Sequence, residues 1–512
     1  MAADVKYRVL LVGVFNELSA YKYSFSLAIS CLKTYADKVL GNSVNIRNLN
    51  ILDTDEEKLI KAIREHKPSI IGFSCYLWNV GIICDFCHKV KNLFPEIKIL
   101  LGGPEATGRR EQLLKSCNAD YLIVGEGEAV FVEILKHLSD NSPLRGIDGL
   151  ILPDYSHEEA SNVKAVLLPL ENLPSPFSES GIPEGMRSEM FFPFETMRGC
   201  PNHCSYCLWT AFGSKSVRFY PLERIASDLE WIARKAPKSG VFVADSDTFM
   251  NKERALKMAW MFRKAADEGN LRFVFQTNLR HWDESLMEAY NHESFEINFG
   301  INALTLKTQK VFGRNCSESQ ISAQLAAIRK KAPKVKVFLH IMYACPGESF
   351  VDFCNSLDWA LSQPNTITLF FHTQLLYGTP MQKKAKELKI VCRNSPPYYV
   401  ISSAECSAAE VKIEELMLIC INTWLYDVNT KDRFRQIVME EYGGSFSRAF
   451  MGLWKKMPPI SKKTLMSVYS ELQDGPVFFI DNYVIDIVQE FPQKNDTQKY
   501  RCVEKIRHIF NF

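Results

Sequence analysis

Three cysteines, Cys200, Cys204 and Cys207, fall within eight residues of the sequence. A loop this short cannot spread them apart, so all three can face one small object. Thiolates at close range repel one another unless a positive centre holds them, which indicates a metal ion or a metal cluster. Zinc would need a fourth ligand, and no second Cys or His pair follows just downstream. An iron–sulfur cube on three thiolates would keep one iron open for a ligand. Zinc and a group of buried thiols remain the alternatives.

The composition is that of an ordinary globular protein, with 512 residues, 46% hydrophobic and 23% charged. This length predicts two to four domains. A formal net charge of +2 gives no case for nucleic acid or an anionic membrane as partner. We see no signal core at the start and no apolar run of membrane-spanning length, so we expect a cytoplasmic protein. Most of the 15 cysteines are then expected to be reduced.

A second cysteine pair, Cys84 and Cys87, has the spacing of a redox motif. It lies between Val80 and Leu93, where apolar residues recur at helical spacing. Cysteine in such a helix often packs as a small hydrophobic residue. We therefore interpret this pair as core residues.

The first 145 residues alternate apolar strands with helices. Strands are predicted at 8–14, 44–48, 69–75, 97–101 and 121–124, and helices at 24–36, 56–65 and 80–93. This alternation is typical of a Rossmann-like, doubly wound parallel sheet, which binds ligands at the carboxyl ends of its strands. Glycines cluster at those ends, where a ligand can approach the backbone. No Gly-x-Gly-x-x-Gly follows the first strand, which weakens a nicotinamide or flavin interpretation.

The pattern changes after residue 190. Six strands, at 192–198, 240–244, 272–276, 296–300, 336–343 and 366–371, alternate with helices up to residue 400. This predicts a partial (β/α)6 TIM barrel with its active site at the strand carboxyl ends. Residues 146–190 are predicted as a linker with a short strand near 149–152. Residues 401–512 are predicted as an α-helical C-terminal domain over the barrel mouth, with helices at 409–426, 432–442, 446–455, 461–472 and 498–510.

The Cys-x3-Cys-x2-Cys spacing, with Tyr206 before the last cysteine, resembles the signature of the radical S-adenosylmethionine (SAM) enzymes. In that family the three thiolates bind a 4Fe–4S cluster, whose open iron takes the amino and carboxylate groups of SAM. One electron then cleaves SAM to methionine and a 5′-deoxyadenosyl radical. The order of the later motifs also resembles that barrel: Ala-Asp-Ser-Asp-x-Phe at 244–249, Pro-Gly-Glu at 346–348 and Gly-Thr-Pro at 378–380.

This resemblance implies roles for polar residues at the barrel strand ends. Asp245 or Asp247 would meet the methionine ammonium of SAM, and Gln276 and Asn278 would contact its carboxylate or ribose. The alternative for each is a solvated loop or a helix cap.

We expect three further side chains to face the same cavity, those of Tyr343, Tyr377 and His372. The two tyrosines are the candidate catalytic residues. A single His on a strand is more often structural, so we do not assign His372 a catalytic role.

The N-terminal sheet, directly before the cysteine motif, resembles the cobalamin-binding domain of cobalamin-dependent radical SAM enzymes, in their class B methyltransferase branch. Three pieces at strand ends carry this resemblance and are the expected cofactor contacts: Ser74, Tyr76, Leu77 and Trp78; Gly102, Gly103, Pro104 and Glu105; Gly125, Glu126, Gly127 and Glu128.

One departure concerns the cobalt ligand. Many cobalamin proteins carry Asp-x-His-x-x-Gly after the first strand, but residues 15–23 contain no His. The resemblance then implies base-off cobalamin without a His ligand, with Leu77 or Trp78 over its lower face. Simple packing of Trp78 at a domain border is the alternative.

The resemblance covers residues 5–400 and implies a methyltransferase that moves a methyl group from SAM, through methylcobalamin, to an unactivated carbon. One SAM would methylate cobalt(I), and a second would give the radical that abstracts hydrogen from the target carbon. The substrate would be a small molecule or a peptide of specialised metabolism, and flavodoxin or ferredoxin would donate electrons. Cyclisation, rearrangement and methylation of an sp2 carbon without the adenosyl radical are the alternatives. A non-enzymatic iron–sulfur or zinc protein is the rival from another class.

Overall fold

The computed structural model describes residues 7–16, 26–178, 181–182, 190–209, 216–426, 431–459, 461–463 and 466. Two six-stranded sheets organise this part of the chain, the first before residue 152 and the second between residues 191 and 372. Among the described residues, no helix combines the length and the apolar character that a membrane span requires.

The first sheet has the strand order β2-β1-β3-β4-β5-β6, with β6 antiparallel to β5 and the other pairs parallel. Its strands are Tyr7–Phe15 (β1), Val44–Leu52 (β2), Ile70–Ser74 (β3), Lys98–Gly102 (β4), Tyr121–Ile123 (β5) and Leu150–Ile151 (β6). The chain order reverses between β1 and β3, and ligands of doubly wound sheets bind at such a point. The predicted Rossmann-like sheet and its short sixth strand are confirmed.

Helices cover both faces of this sheet, which is why β1 is a continuous apolar run with six consecutive buried residues. The helices are Leu27–Leu40 (α1), Glu56–His66 (α2), Val80–Leu93 (α3), Pro104–Arg109 (α4), Glu111–Ser116 (α5), Glu128–Ser139 (α6) and His157–Asn162 (α7). Two apolar clusters form on opposite faces of the sheet, one around Phe73 and Phe86 and the other around Leu11 and Phe131.

The second sheet is fully parallel, in the order β14-β13-β12-β11-β10-β7. Its strands are Phe191–Phe194 (β7), Gly240–Val243 (β10), Arg272–Thr277 (β11), Phe295–Asn302 (β12), Lys336–Tyr343 (β13) and Ile367–His372 (β14), and the helices between them are Leu222–Lys235 (α8), Lys252–Gly269 (α9), Glu284–Ala289 (α10), Leu306–Phe312 (α11), Glu318–Lys331 (α12) and Phe350–Ser362 (α13). Six parallel strands in sequence order, joined by helical crossovers, confirm the predicted partial barrel.

The predicted strand at 192–198 is divided into two. After β7 the chain leaves the sheet, and Met197–Arg198 (β8) forms a separate antiparallel ribbon with Arg218–Phe219 (β9). The Asp245 carboxylate accepts hydrogen bonds from the backbone N–H groups of Thr196 and Met197, at 2.7 and 3.2 Å. Asp245 thereby binds the backbone at the point where the chain leaves the sheet, and this interaction is not visible in local sequence.

Beyond the sheet lie a short helix, Pro380–Lys383 (α14), a ribbon of Val391–Cys392 (β15) and Val400–Ser402 (β16), and three helices, Ala408–Tyr426 (α15), Lys431–Tyr442 (α16) and Phe446–Lys456 (α17). Trp424, Phe434 and Phe450 belong to the same apolar core as the barrel. The predicted helical C-terminal region is confirmed up to α17. The predicted helices at 461–472 and 498–510 lie outside the described residues, apart from residues 461–463 and 466.

One expectation about cysteines needs correction. Cys84 forms a disulfide with Cys117, the residue that follows α5, whereas Cys87 is a fully buried core residue as predicted. The pairing joins residues 33 apart, which sequence spacing does not reveal.

The predicted linker is more ordered than its composition suggests. Besides β6, it contains α7, which begins with a capping box between Ser156 and Glu159. Arg110 binds the backbone carbonyls of Ala160 and Val163. These contacts attach the segment to the first sheet's helices.

Candidate functional site

The cysteine loop follows β8 directly. Gly199 has a φ of +98°, and a Cβ there would lie 2.5 Å from the carbonyl oxygen of Ser216, so only glycine fits. Ser205, between the second and third cysteines, is held by three hydrogen bonds. Its N–H donates to the Phe312 carbonyl at 3.1 Å, its hydroxyl to the Val311 carbonyl at 2.7 Å, and its own carbonyl accepts from Met381 N–H at 2.8 Å. The loop therefore sits between β8, α11 and α14.

The three cysteines all stand outside disulfides, with Cys204 buried and Cys200 and Cys207 half-buried. The Asn202 amide contacts the Cys200 sulfur at 3.7 Å and accepts a 2.7 Å hydrogen bond from Arg280. Among the described residues, no three His, Cys, Asp or Glu side chains converge closely enough to hold a metal ion. Three reduced thiols in one short loop nevertheless have the donor chemistry of an iron–sulfur cluster.

Arg314 is a neighbour of this loop that the sequence analysis missed. Burial acts against its charge, but Tyr206 and Cys204 beside it hold the pKa of the guanidinium above its usual range. It also donates to the Gly300 carbonyl at 2.8 Å. A fixed cation at this position would offset part of the negative charge that three thiolates bring to a cluster. Nothing in the local sequence marks Arg314, because α11 and the cysteine loop meet only in the folded chain.

Asp245 lies at the end of β10 with 1% of its surface exposed. Its carboxylate is bonded to the backbone of Thr196 and Met197 and, at 2.5 Å, to the Thr196 hydroxyl. Burial raises the pKa of Asp245 to about 7. The next residue, Ser246, donates to the Gly199 carbonyl at 2.7 Å. This strand end therefore supports the cysteine loop, and a SAM contact by Asp245 stays a prediction.

Asp247 is also 1% exposed and joins β10 to the end of β11. It accepts hydrogen bonds from the Thr277 hydroxyl at 2.6 Å and from Asn278 N–H at 3.3 Å. His281 Nδ1 lies 2.8 Å from its second oxygen. Gln276 precedes Thr277 in β11 and is half-buried, and its backbone carbonyl accepts a hydrogen bond from Thr248 N–H. The structure thus brings three of the predicted SAM contacts, Asp247, Gln276 and Asn278, to one edge of the sheet.

The predicted cobalamin contacts surround the carboxyl ends of β3 and β4. Ser74 is buried and Leu77 half-buried, while Trp78 is 44% exposed and stacks on Tyr76 with ring centroids 4.4 Å apart. Asn79 fixes this turn by donating to two backbone carbonyls and accepting from Tyr76 N–H. A stacked aromatic pair with an exposed tryptophan, at a strand-order reversal, is suited to a large flat ligand.

The Gly102–Glu105 turn completes this edge. A Cβ on Gly102 would have nothing within 4 Å, whereas one on Gly103, with a φ of +97°, would meet the Cys75 carbonyl oxygen at 2.6 Å. Pro104 begins α4, and Glu105 is buried. One glycine therefore leaves open space for a ligand and the other allows the turn, and both features fit a corrinoid at this edge.

Residues 125–128 form the third predicted piece. Gly125 N–H donates to the Thr107 hydroxyl at 2.9 Å. The carboxylates of Glu126 and Glu128 both reach Arg198 across the boundary between the two sheets, at 3.1 and 2.9 Å. Contacts of Gly125, Gly127 or these carboxylates with a cofactor stay predictions.

Tyr343 and Tyr377, the two candidate catalytic tyrosines, belong to different clusters. Tyr343 is fully buried with its ring 4.6 Å from that of His372. Tyr377 is half-buried beside Tyr398, at 5.1 Å, and 5.9 Å from the Arg109 guanidinium of the first domain. His372 has both ring nitrogens engaged, with Val400 at 2.7 Å and Glu415 at 3.1 Å, in keeping with a structural role. A catalytic role for either tyrosine remains a prediction.

Comparisons with known proteins identify the same two domains. Residues 18–135 match the B12 binding domain family, and residues 194–360 match the radical SAM superfamily. The cobalamin-dependent radical SAM methyltransferase TokK of Streptomyces tokunonensis is 29% identical over 273 residues, which are 51% of this chain and 38% of TokK. The chain thus spans well under two thirds of that relative.

Two solved structures share the fold. The radical SAM methyltransferase TsrM of Kitasatospora setae, with tryptophan substrate and a SAM analogue bound, aligns with a TM-score of 0.62 at 15% identity, over 77% of this chain and 80% of TsrM. The cobalamin-dependent radical enzyme OxsB, with aqua-cobalamin and SAM bound, aligns with a TM-score of 0.64 at 14% identity, over 98% of this chain and 75% of OxsB. The chain therefore contains a B12 binding domain followed by a radical SAM domain, and these domains support cobalamin and a 4Fe–4S cluster with SAM as its cofactors.

Proposed function

We propose that this protein is a C-methyltransferase that moves a methyl group from SAM to an unactivated carbon of a small molecule or peptide. The observation that carries the proposal is the meeting of both cofactor edges at one boundary. The turn at Glu105 is bonded to Tyr398, and the loop at Glu128 is paired with Arg198, two residues before the first cysteine. Group transfer between two cofactors and a substrate requires such proximity.

When bound, the cluster supplies the electron that cleaves SAM, and cobalamin supplies the methyl carrier. Cys200, Cys204 and Cys207 would hold the cluster, with the Arg314 guanidinium beside Cys204. The edge formed by Asp247, Gln276 and Asn278 would orient SAM. Tyr76, Trp78 and Gly102 would hold the corrin. The protein must hold the cluster, SAM and the corrin at fixed relative positions and exclude water from them.

The corrinoid is proposed to bind base-off and without a histidine ligand. Residues 15–23, which follow the first strand, contain no His. Trp78, exposed at the end of β3, and the neighbouring Leu77 are the side chains proposed for its lower face. An apolar cover in place of an imidazole would leave cobalt weakly ligated on that side.

The overall reaction consumes two SAM molecules and two electrons for each methyl transferred. The products are the methylated substrate, S-adenosylhomocysteine, methionine and 5′-deoxyadenosine, which carries away the substrate hydrogen. An external flavodoxin or ferredoxin is the proposed electron donor. Tyr343 and Tyr377 are proposed to face the substrate side of this edge. The substrate is proposed to belong to specialised metabolism.

The alternatives are cyclisation, rearrangement, or methylation of an sp2 carbon without the adenosyl radical. The likeness to OxsB and TsrM concerns the fold alone at 14% and 15% identity, so neither structure favours one of these. The sequence match to a methyltransferase favours methyl transfer.

Product analysis with methyl-labelled SAM tests the proposal. The anaerobically reconstituted full chain is incubated with a strong reductant and an extract of candidate substrates. Label in the product together with 5′-deoxyadenosine and S-adenosylhomocysteine in equal amounts supports C-methylation. An unlabelled product would overturn methyl transfer, and labelled product without 5′-deoxyadenosine would indicate the sp2 alternative.

A further inference from the structure

A buried group of charges connects the two domains at the start of the cysteine loop. Arg198 in β8 is 8% exposed and pairs with Glu128 at 2.9 Å and Glu126 at 3.1 Å, both from the end of the first sheet. Glu195 of its own segment lies 2.9 Å away. Arg218 of the partner strand β9 also pairs with Glu126. We call these five residues the Arg198 cluster.

The cluster is nearly balanced in charge and well shielded from water. Two guanidinium groups face three carboxylates, and the Glu128 side chain is only 7% exposed. Tyr220 adds a hydrogen bond to Glu195 at 3.3 Å. Burial works against the charge of Arg198, but Glu128 and Glu195 hold its pKa well above the usual range. Removal of one partner would leave a buried charge without compensation, which is far more costly than loss of a surface pair.

The position of Arg198 gives the cluster a specific consequence. Only Gly199 separates it from Cys200, and that glycine is itself fixed by Ser246 and by its close approach to Ser216. Arg198 and the first thiol therefore share one short stretch of backbone, and a shift of the Arg198 backbone is expected to change the position of that thiol. At the other end, Glu126 lies in the loop after β5 and Glu128 begins α6 of the cobalamin domain. One side chain thus links the cobalamin edge to the cysteine loop.

We propose that Arg198 is a positioning residue that sets the register between the cobalamin domain and the cysteine loop. The inference rests on the proposed function, because the relative position of the cobalamin domain and the cysteine loop matters for transfer between their two cofactors. It does not require Arg198 to touch either cofactor. Loss of the guanidinium should leave each cofactor bound while their relative placement becomes variable.

The first test needs no cofactor. Hydrogen–deuterium exchange is measured on the apo full chain for peptides covering residues 121–128 and 194–200. Arg198→Gln should make exchange in both peptides about tenfold faster or more, since it breaks a buried multi-partner ion pair. Arg145→Gln is the matched control, because Arg145 makes exposed pairs with Asp154 and Glu159 inside one domain. It should leave both peptides unchanged, and unchanged exchange in Arg198→Gln would overturn the inference.

The second test uses the reconstituted protein. Pulsed electron paramagnetic resonance measures the dipolar coupling between cob(II)alamin and the reduced cluster. With iron and corrinoid contents equal to wild type, Arg198→Gln should weaken or broaden this coupling, and Arg198→Lys should restore it only in part, because a single ammonium cannot serve three carboxylates. An unchanged coupling would refute the positioning role.

The two proposals fail in different ways. Wild-type protein that binds neither iron nor corrinoid would defeat the proposed function, while the exchange result would still report on the domain contact. Should Arg198→Gln fail to fold, Glu128→Gln removes the same contact from the cobalamin side and leaves the arginine with two carboxylates. The same faster exchange is expected, and its absence would count against the inference.

Discussion

The phenol of Tyr398 donates a 3.0 Å hydrogen bond to the Glu105 carboxylate, 293 residues earlier in the chain. Glu105 belongs to the turn that follows β4 of the cobalamin domain, whereas Tyr398 follows the last strand of the barrel. Burial raises the pKa of Glu105, and the Tyr398 hydrogen bond opposes that shift. This contact and the Arg198 cluster thus join the two sheets at separate places along their boundary.

Replacement of Tyr398 by Phe should lower the free energy of unfolding by about 1–3 kcal/mol, the cost of leaving a buried acceptor without its donor. Denaturant unfolding measures the loss. The control is a double-mutant cycle with Glu105→Gln, in which the two effects should be non-additive because the residues share one contact. Additive effects would show that the hydrogen bond contributes little.

Replacement of Cys204 by Ala should abolish the visible absorbance of the cluster and its iron content after anaerobic reconstitution, because two thiolates cannot retain a cube that requires three. Cys354→Ala is the matched control, since Cys354 is half-buried in α13 and outside the apolar cluster that contains Tyr206 of the loop. A full cluster in the Cys204 variant would refute the ligand assignment.

Replacement of Trp78 by Ala should change the visible spectrum of bound cobalamin or slow its methylation, since the side chain is proposed to cover the lower face of cobalt. Trp260→Ala is the control, because Trp260 is 64% exposed on a barrel helix. Identical spectra and methylation rates in wild type and Trp78→Ala would reduce Trp78 to a packing residue.

Stability should fall as pH rises from about 4.5 to 8. Burial raises the pKa of Glu348 to about 8 and that of Glu414 to about 7, and the Glu414 carboxylate raises the pKa of Glu348 further. Both folded pKa values lie above the unfolded value of 4.5, so the stabilisation from these protonated carboxyls is complete below pH 4.5. It is lost between pH 4.5 and the folded pKa values, because the unfolded groups ionise there while the folded groups keep their protons. The expected slope is about 1.4 kcal/mol per pH unit for each group that titrates.

Glu348→Gln should remove one group's share of that slope and make the protein more stable than wild type at pH 8, because Gln mimics the protonated acid. Urea unfolding between pH 5 and 8 gives the measurement. Glu440→Gln, at an exposed site on α16, should leave the slope unchanged. Parallel curves for Glu348→Gln and wild type would contradict the burial argument.

The Cys84–Cys117 disulfide predicts a cross-linked peptide pair in a non-reducing digest. Cys84→Ser should lower the free energy of unfolding by about 3 kcal/mol, since the bond closes a loop of 33 residues in the unfolded chain. Reductant should abolish the difference between variant and wild type. A variant of equal stability under oxidising conditions would show that the bond does not form in solution.

The sequence was sufficient for the features that depend on periodicity. The alternation of apolar runs and helical segments predicted both sheets. Glycine and polar residues at strand ends predicted the edge of the first sheet at which Gly102 lies and the edge of the second at which Asp247 and Asn278 lie. Features that depend on tertiary neighbours were not accessible. No local pattern shows that Asp245 binds the backbone of Thr196 and Met197, or that Cys84 meets Cys117.

The motif at residues 125–128 of the cobalamin domain shows how far sequence reasoning reaches. Its glycines and acids were recognised as a group, but the partner of Glu126 and Glu128 lies 70 residues or more along the chain, in Arg198. Arg314 was missed for the same reason. Charge pairs between domains produce no periodic pattern in the sequence. Sequence reasoning therefore locates the motif without showing what its side chains contact.

The attachments of Ser205 have a practical consequence for preparing the protein. They consist of backbone amides, carbonyls and one hydroxyl, none of which needs iron or is sensitive to air. The backbone between the second and third cysteines can therefore assume its path during ordinary aerobic expression. Iron and sulfide can then be added to the purified chain without unfolding and renaturing it.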